Sequence, residues 1–134
     1  MKIQFLIFLS VLVIGCQTSD NEDQHDPNEP VVINVDACLD DADQGVSVCL
    51  DSVTDDSRCP TGLVCIWEGD AVANFTIKTK IKTNAFRLHS NNGFQNDTAL
   101  QGYRIKLVAI TPYPSNKNPI DPNDYSAELL VTKE

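Results

Sequence analysis

Hydrophobic and polar positions alternate with a period of two along much of this chain. In residues 71–83, Phe75, Ile77, Thr79 and Ile81 fall on one face and Lys78, Lys80 and Lys82 on the other. Tyr103, Ile105, Leu107 and Ala109 alternate with Arg104 and Lys106. Near the C-terminus Tyr125, Ala127, Leu129 and Val131 alternate with Ser126, Glu128 and Thr132, with Leu130 as the exception. This period marks half-buried strands, because successive side chains of a strand point to opposite faces. Shorter strands are expected at residues 31–35, 46–53, 63–67 and 85–89. Asn91-Asn92-Gly93 and residues 111–115 read as turns, and residues 118–122 as a longer loop. No window carries a helical period. About seven strands at this spacing predict an all-β fold, a small antiparallel β-sandwich or barrel. The stripe of lysines suits the protection of an edge strand, with an interaction surface as the alternative.

The first residues follow a different pattern. Lys2 precedes an apolar run from Ile3 to Ile14, broken only by Gln4 and Ser10. The run is shorter than the ~20 residues that span a bilayer, but it suits the core of a secretory signal. It ends in Val13-Ile14-Gly15-Cys16, which resembles a bacterial lipobox. The resemblance implies a lipoprotein signal peptide over residues 1–15 and cleavage after Gly15. It also implies diacylglycerol on the Cys16 sulfur and a fatty acyl chain such as palmitate on the new amino group. Two or more acyl chains anchor a protein stably where one does not, so the expected membrane contact is a lipid anchor. Gln17 stands where the family's inner-membrane retention signal has Asp, and residues 19–23 resemble surface-export signals. Both features imply an outer-membrane lipoprotein facing the periplasm or the cell surface.

Residues 16–30 contain no aliphatic or aromatic side chain beyond the lipidated cysteine and carry five acids. Nothing there offsets the entropy of ordering, so the segment reads as a disordered tether with a reach of roughly 20 Å. His25 lies within it as a solvated side chain. Residues 31–134 then form a single β domain, long enough for one modest core. The whole chain of 134 residues has a formal charge of −9, from 10 basic and 19 acidic side chains. That balance excludes nucleic acid as a partner, since phosphate binding needs a basic face. The acids are uneven: residues 20–70 hold 14 of them and one base, Arg58.

Export puts the chain in an oxidising compartment. With Cys16 lipidated, Cys38, Cys49, Cys59 and Cys65 remain, and an even number favours two disulfides among three connectivities. Neighbouring pairs close short loops around expected hairpins, so Cys38–Cys49 and Cys59–Cys65 are preferred. Each would stabilise by roughly 2–3 kcal/mol on a loop-entropy argument. The spacings lack the short paired knuckles of a zinc site.

The most distinctive stretch is Asp56-Ser57-Arg58-Cys59-Pro60, followed by Cys65, Trp67 and Gly69. It resembles a DSRCP-x4-C-x-W-x-G signature of small bacterial envelope proteins, and Gly102-Tyr103-Arg104-Ile105, Pro112-Tyr113-Pro114 and Tyr125-Ser126-Ala127 extend the likeness. The resemblance implies an envelope β domain and supplies no activity. Two readings of the stretch stand side by side. As a folding staple, Trp67 packs against the disulfide two residues away and Arg58 pairs with Asp55 or Asp56 or bonds nearby carbonyls. As a binding surface, the loop presents Arg58, Trp67 and Glu68 to a ligand.

Chemistry is sparse elsewhere. The acidic stretch around Asp36, Asp40, Asp41 and Asp43 offers oxygen ligands for calcium but only partly echoes an EF-hand loop. His89 is the lone histidine of the domain, with no serine in a nucleophile elbow. No phosphate loop, dinucleotide fingerprint or zinc-protease helix appears, so no cofactor is implied. Asp51-Ser52-Val53 and Asp97-Thr98-Ala99 resemble a bacterial O-glycosylation tripeptide. The expected function is therefore non-catalytic: an anchored envelope lipoprotein presenting a β domain to a protein or glycan. A calcium-dependent binding module is the alternative, and a small hydrolase or redox protein using His89 or the cysteines comes last.

Overall fold

The computed structural model describes residues 28–42 and 44–134. The expected signal peptide, Cys16, most of the expected tether with His25, and the calcium candidate Asp43 lie outside the described residues. The domain is all-β, with eight strands: β1 (Val31–Asn34), β2 (Cys38–Asp41), β3 (Val46–Thr54), β4 (Val72–Thr79), β5 (Thr83–His89), β6 (Asp97–Leu100), β7 (Tyr103–Thr111) and β8 (Ser126–Lys133). They form two four-stranded antiparallel sheets, ordered β1-β8-β7-β6 and β2-β3-β4-β5. A short 3-10 helix, Pro122–Asp124, precedes β8.

The two sheets close over one core, which selects a sandwich from the two expected architectures. Val48, Leu50, Phe75, Ile77 and Leu88 of one sheet meet Ile33, Ile105, Leu107, Ala127 and Leu129 of the other in a single buried cluster. Alternation holds where a strand stays regular. Where it slips, a bulge is responsible, because one extra residue reverses the faces of all that follow. Between Leu107 and Ala109 the register of β7 on β8 shifts, so Ile110 is buried in place of Ala109. A similar shift between Leu50 and Ser52 turns Val53 inward. The stripe in residues 71–83 also ends early: Ile81 sits in the β4–β5 hairpin turn, 92% exposed.

Three further departures from the sequence pattern concern the strands themselves. β2 and β6 lie at sheet edges, where one side of the strand is unpaired and polar residues are tolerated, so their sequences do not alternate. Residues 63–67, expected as a strand, form none; their apolar positions face solvent and not the core. β2 is joined to β3 by a disulfide between the directly opposed Cys38 and Cys49, with an S–S distance of 2.01 Å.

Candidate functional site

The chain leaves β3 at Thr54 and returns in β4 at Val72, and the intervening segment is the distinctive one. Asp55 makes the exit with φ +53°. Beneath the loop, Arg58 is only 7% exposed. Its Nε donates to Asp56 Oδ1 at 2.8 Å and its Nη2 to Asp56 Oδ2 at 2.6 Å, a two-point pair. Its other donors reach the carbonyl oxygens of Ile110 at 2.6 Å and Pro112 at 3.0 Å. The Tyr113 ring covers the guanidinium, 4.8 Å from its centroid. Tyr125 donates its hydroxyl to Asp56 Oδ2 at 2.9 Å. One buried charge thus ties the loop root to the end of β7 and the start of β8.

The electrostatics follow from this geometry. Burial pushes the Asp56 carboxyl up, but hydrogen bonds from Arg58 and Tyr125 and the guanidinium charge outweigh it and hold the group below its ordinary value. Burial, then the bond to Asp56, pushes the Tyr125 phenol up to about 12.

A second polar cluster closes the other end of the loop. Asp70 accepts from His89 Nδ1 at 2.6 Å, from Ser90 Oγ at 3.1 Å and from the Asn91 amide at 3.0 Å. Its carbonyl receives the Ser57 amide at 2.7 Å, and Asn91 Nδ2 donates to Gly69 O at 2.9 Å. Burial raises the Asp70 carboxyl less than these bonds lower it. His89, carried here by the end of β5 under the Phe94 ring, therefore fixes a loop base. Gly69 has φ +75° and packs against the Ser57 and Arg58 backbone, so a side chain has no room there.

Between these clusters stands the loop itself. Cys59 and Cys65 are bridged six residues apart. Thr61 hangs from Pro114, its amide donating to the carbonyl at 2.9 Å, and Trp67 Nε1 donates to Ser57 O at 3.1 Å. Outward, Val64 and Ile66 are fully exposed, Trp67 is 56% exposed, and Leu63 and Tyr113 are about half exposed. Four large apolar side chains within five residues of one loop, Leu63, Val64, Ile66 and Trp67, are thus left in solvent.

The expected binding residues thus separate. Trp67 and Glu68 are on the exposed loop, whereas Arg58 is not on the surface: its donors are spent on Asp56 and two carbonyls beneath it. Trp67 is not carried by a strand face as expected, because the bridge and Gly62 (φ +87°) turn the chain first. Val64 and Ile66 join the exposed side chains unannounced by the sequence, their signal an apolar run in a segment too tightly bridged to pair; Tyr113, also exposed, belongs to the 111–115 turn, outside that run. The four cysteines pair as Cys38–Cys49 and Cys59–Cys65. Among the described residues, the calcium candidates Asp36, Asp40 and Asp41 do not converge. Asp36 sits in the turn after β1, and Asp40 and Asp41 are consecutive on β2 and so face opposite ways. Among the described residues no three acidic, histidine or cysteine side chains group as a metal site. Against known proteins, no family model, no curated protein and no solved structure matches this chain.

Proposed function

We propose that this chain is a lipid-anchored, non-catalytic binding module of the cell envelope, and that the bridged loop of residues 59–69 is its contact surface for a protein partner. The observation that carries the reading is the full exposure of Val64 and Ile66 on a loop fixed at both ends. Leaving these side chains in water is unfavourable, and a partner that covers them recovers the loss. Branched aliphatic side chains suit a protein cleft better than a sugar, whose hydroxyls ask for hydrogen bonds. The acid–base pairs nearest the loop, Asp56–Arg58 and Asp70–His89, are committed to holding it.

The lipobox at residues 13–16 supports the anchor and, with it, an outer-membrane location. Strand direction is compatible with that arrangement. β1 starts at Val31 opposite Leu129 and runs to Asn34 opposite Ser126, towards the end of the sandwich that bears the loop. A tether entering β1 therefore leaves the loop pointing away from the anchored side.

The test uses the full chain in its host with a photo-crosslinking residue at Ile66 or, as control, at Lys106. A discrete protein adduct from position 66 alone, identified by mass spectrometry, is expected. Equal labelling from both positions would remove the loop from the reading. Loss of fatty-acid labelling in Cys16→Ser tests the anchor, and persistent labelling would remove it.

A further inference from the structure

We propose that the tip of the β4–β5 hairpin is a second membrane contact: Ile81 enters the headgroup layer of the bilayer that holds the lipid anchor, and Lys78, Lys80 and Lys82 engage its anionic phospholipids. This rests on the anchored reading and goes on to name the end of the domain that meets lipid and the side chains that do so.

The fold first removes the ordinary reason for the lysines. A lysine stripe protects a sheet edge, but β4 lies between β3 and β5 and is not an edge strand. Lys78 closes β4 and Lys80 and Lys82 flank Ile81 in the turn, all of them exposed. Within the described residues their ammonium groups make no hydrogen bond and no ion pair, although Asp40 and Asp41 line a recess beside Lys78 and Lys80. Other bases at this end are spent, Arg104 on Asp97 and Glu134 and Lys133 on Gln44. Ile81 is held outward by a fixed turn. The Thr79 amide donates to the Lys82 carbonyl at 2.9 Å, and Thr79 Oγ1 donates to Gln101 Oε1 at 2.5 Å. An exposed aliphatic side chain between free ammonium groups is the composition of an interfacial anchor: the hydrocarbon seeks the acyl boundary and the amines take lipid phosphates.

Topology supplies the occupant. β1 begins at Val31 opposite Leu129, and β8 runs on past it to Lys133, opposite Tyr103. Lys133 reaches Gln44 in the β2–β3 turn, and Thr79 reaches Gln101 in the β6–β7 turn. The entry point of the tether and all three hairpin turns therefore share one end of the sandwich, opposite the bridged loop. Residues 16–30 join that end to Cys16 with a reach of roughly 20 Å, so the tip faces the anchoring bilayer at close range. Charge is segregated to match, since among the described lysines only Lys117 lies in a connection at the loop end. A protein partner is the rival occupant. The anchor favours lipid, because it keeps a bilayer beside this tip at all times.

The full lipidated chain, reconstituted in vesicles of phosphatidylethanolamine and phosphatidylglycerol with brominated acyl chains, tests the contact. Trp67 of the parent reports the loop end, and Ile81→Trp in a Trp67→Phe background reports the tip. Flotation with the vesicles reads the anchor, and circular dichroism checks each variant. Blue-shifted, bromine-quenched emission is expected at position 81, with Trp67 unquenched. Each lysine of the three replaced by Gln should lower the ratio of docked to undocked protein about fivefold. Brominated phosphatidylcholine in place of phosphatidylglycerol, or about 1 M salt, should release the tip. Flotation without quenching at position 81, quenching of Trp67 instead, or quenching indifferent to lipid charge and salt would each overturn the proposal and leave the anchor standing. Loss of flotation would remove the anchor and this contact with it. A discrete protein adduct from a crosslinker at position 81, without quenching, would assign the tip to a protein.

Discussion

Tyr125 and Asp56 stand 69 residues apart in the chain, yet the tyrosine hydroxyl donates to the aspartate at 2.9 Å. The same carboxylate holds Arg58 at two points, so three residues from two distant segments share one buried charge pair. Removing one member leaves the others desolvated and unpaired. Arg58→Ala should therefore destabilise the domain by about 3–5 kcal/mol, the usual cost of breaking a buried pair from one side. Tyr125→Phe removes one charge-assisted hydrogen bond and should cost about 1.5–3 kcal/mol. Urea denaturation of the two variants checks the order, and an Arg58→Ala effect no larger than that of Tyr125→Phe would contradict it.

Acid should loosen the loop before it touches the core. Asp56 and Asp70 both titrate below their ordinary value of 3.8 in the folded state. Their contribution is complete above that value, where both folded and unfolded chains are ionised. As pH falls through 3.8 the unfolded chain takes up protons first, and the contribution is lost progressively until the folded carboxyls protonate as well. Melting temperature should be insensitive to these groups near neutrality and fall below about pH 4. The fall should be shallower in Asp70→Asn, measured by calorimetry across that range.

Trp67 is the only tryptophan, which makes its surroundings readable by fluorescence. Half-exposed, with its indole N–H on the Ser57 carbonyl, it should emit at long wavelength and be quenched freely by acrylamide. Trp67→Ala should cost only about 1 kcal/mol, the net worth of one hydrogen bond. A blue-shifted, shielded emission in the isolated protein would mean that the loop folds back on the domain.

The two bridges should separate in their effects. Replacing Cys38 and Cys49 together by Ser should lower stability by about 2–3 kcal/mol through loop entropy and leave the loop's protease resistance intact. Replacing Cys59 and Cys65 together should cost a similar amount and expose residues 59–69 to cleavage. Limited proteolysis with mass mapping distinguishes the pairs.

Much of this architecture was legible wherever a strand buries one face, as in β4, β7 and β8. Phe75, Ile77, Ile105 and Leu129 fall inward as their spacing requires. Edge strands hide because they answer to one neighbour: with Asp40 and Asp41 in it, β2 shows no alternation to read. The segment 63–67 misleads for the opposite reason. Its apolar spacing implies a core to face, and here the apolar groups face water. Bulges are equally silent, since nothing in Leu107-Val108-Ala109 announces that Ile110 will replace Ala109 in the core. At the site, the signature residues fall in the bridged segment that carries the exposed Val64, Ile66 and Trp67. The role of Arg58 depended on Tyr125 and on the carbonyls of Ile110 and Pro112, which only the packed sheets bring near.

Two glycines test whether the loop is held by close approach or by backbone shape alone. Gly69 and Gly102 share positive φ, +75° and +83°. An alanine at either position costs roughly 1–2 kcal/mol from the left-handed conformation itself. At Gly102 nothing lies within 4 Å of the added carbon, so Gly102→Ala should stop at that cost. At Gly69 the added carbon would stand 2.6 Å from Arg58 Cα and closer still to the Ser57 carbonyl oxygen. Those atoms are backbone and cannot swing aside. The chain must instead move off Ser57, giving up the Trp67 bond and the Asn91 bond to Gly69 together. Gly69→Ala should therefore destabilise clearly more than Gly102→Ala and shift the emission of Trp67, which Gly102→Ala should leave alone. Equal melting temperatures and unchanged emission in both variants would show that the loop does not depend on this contact.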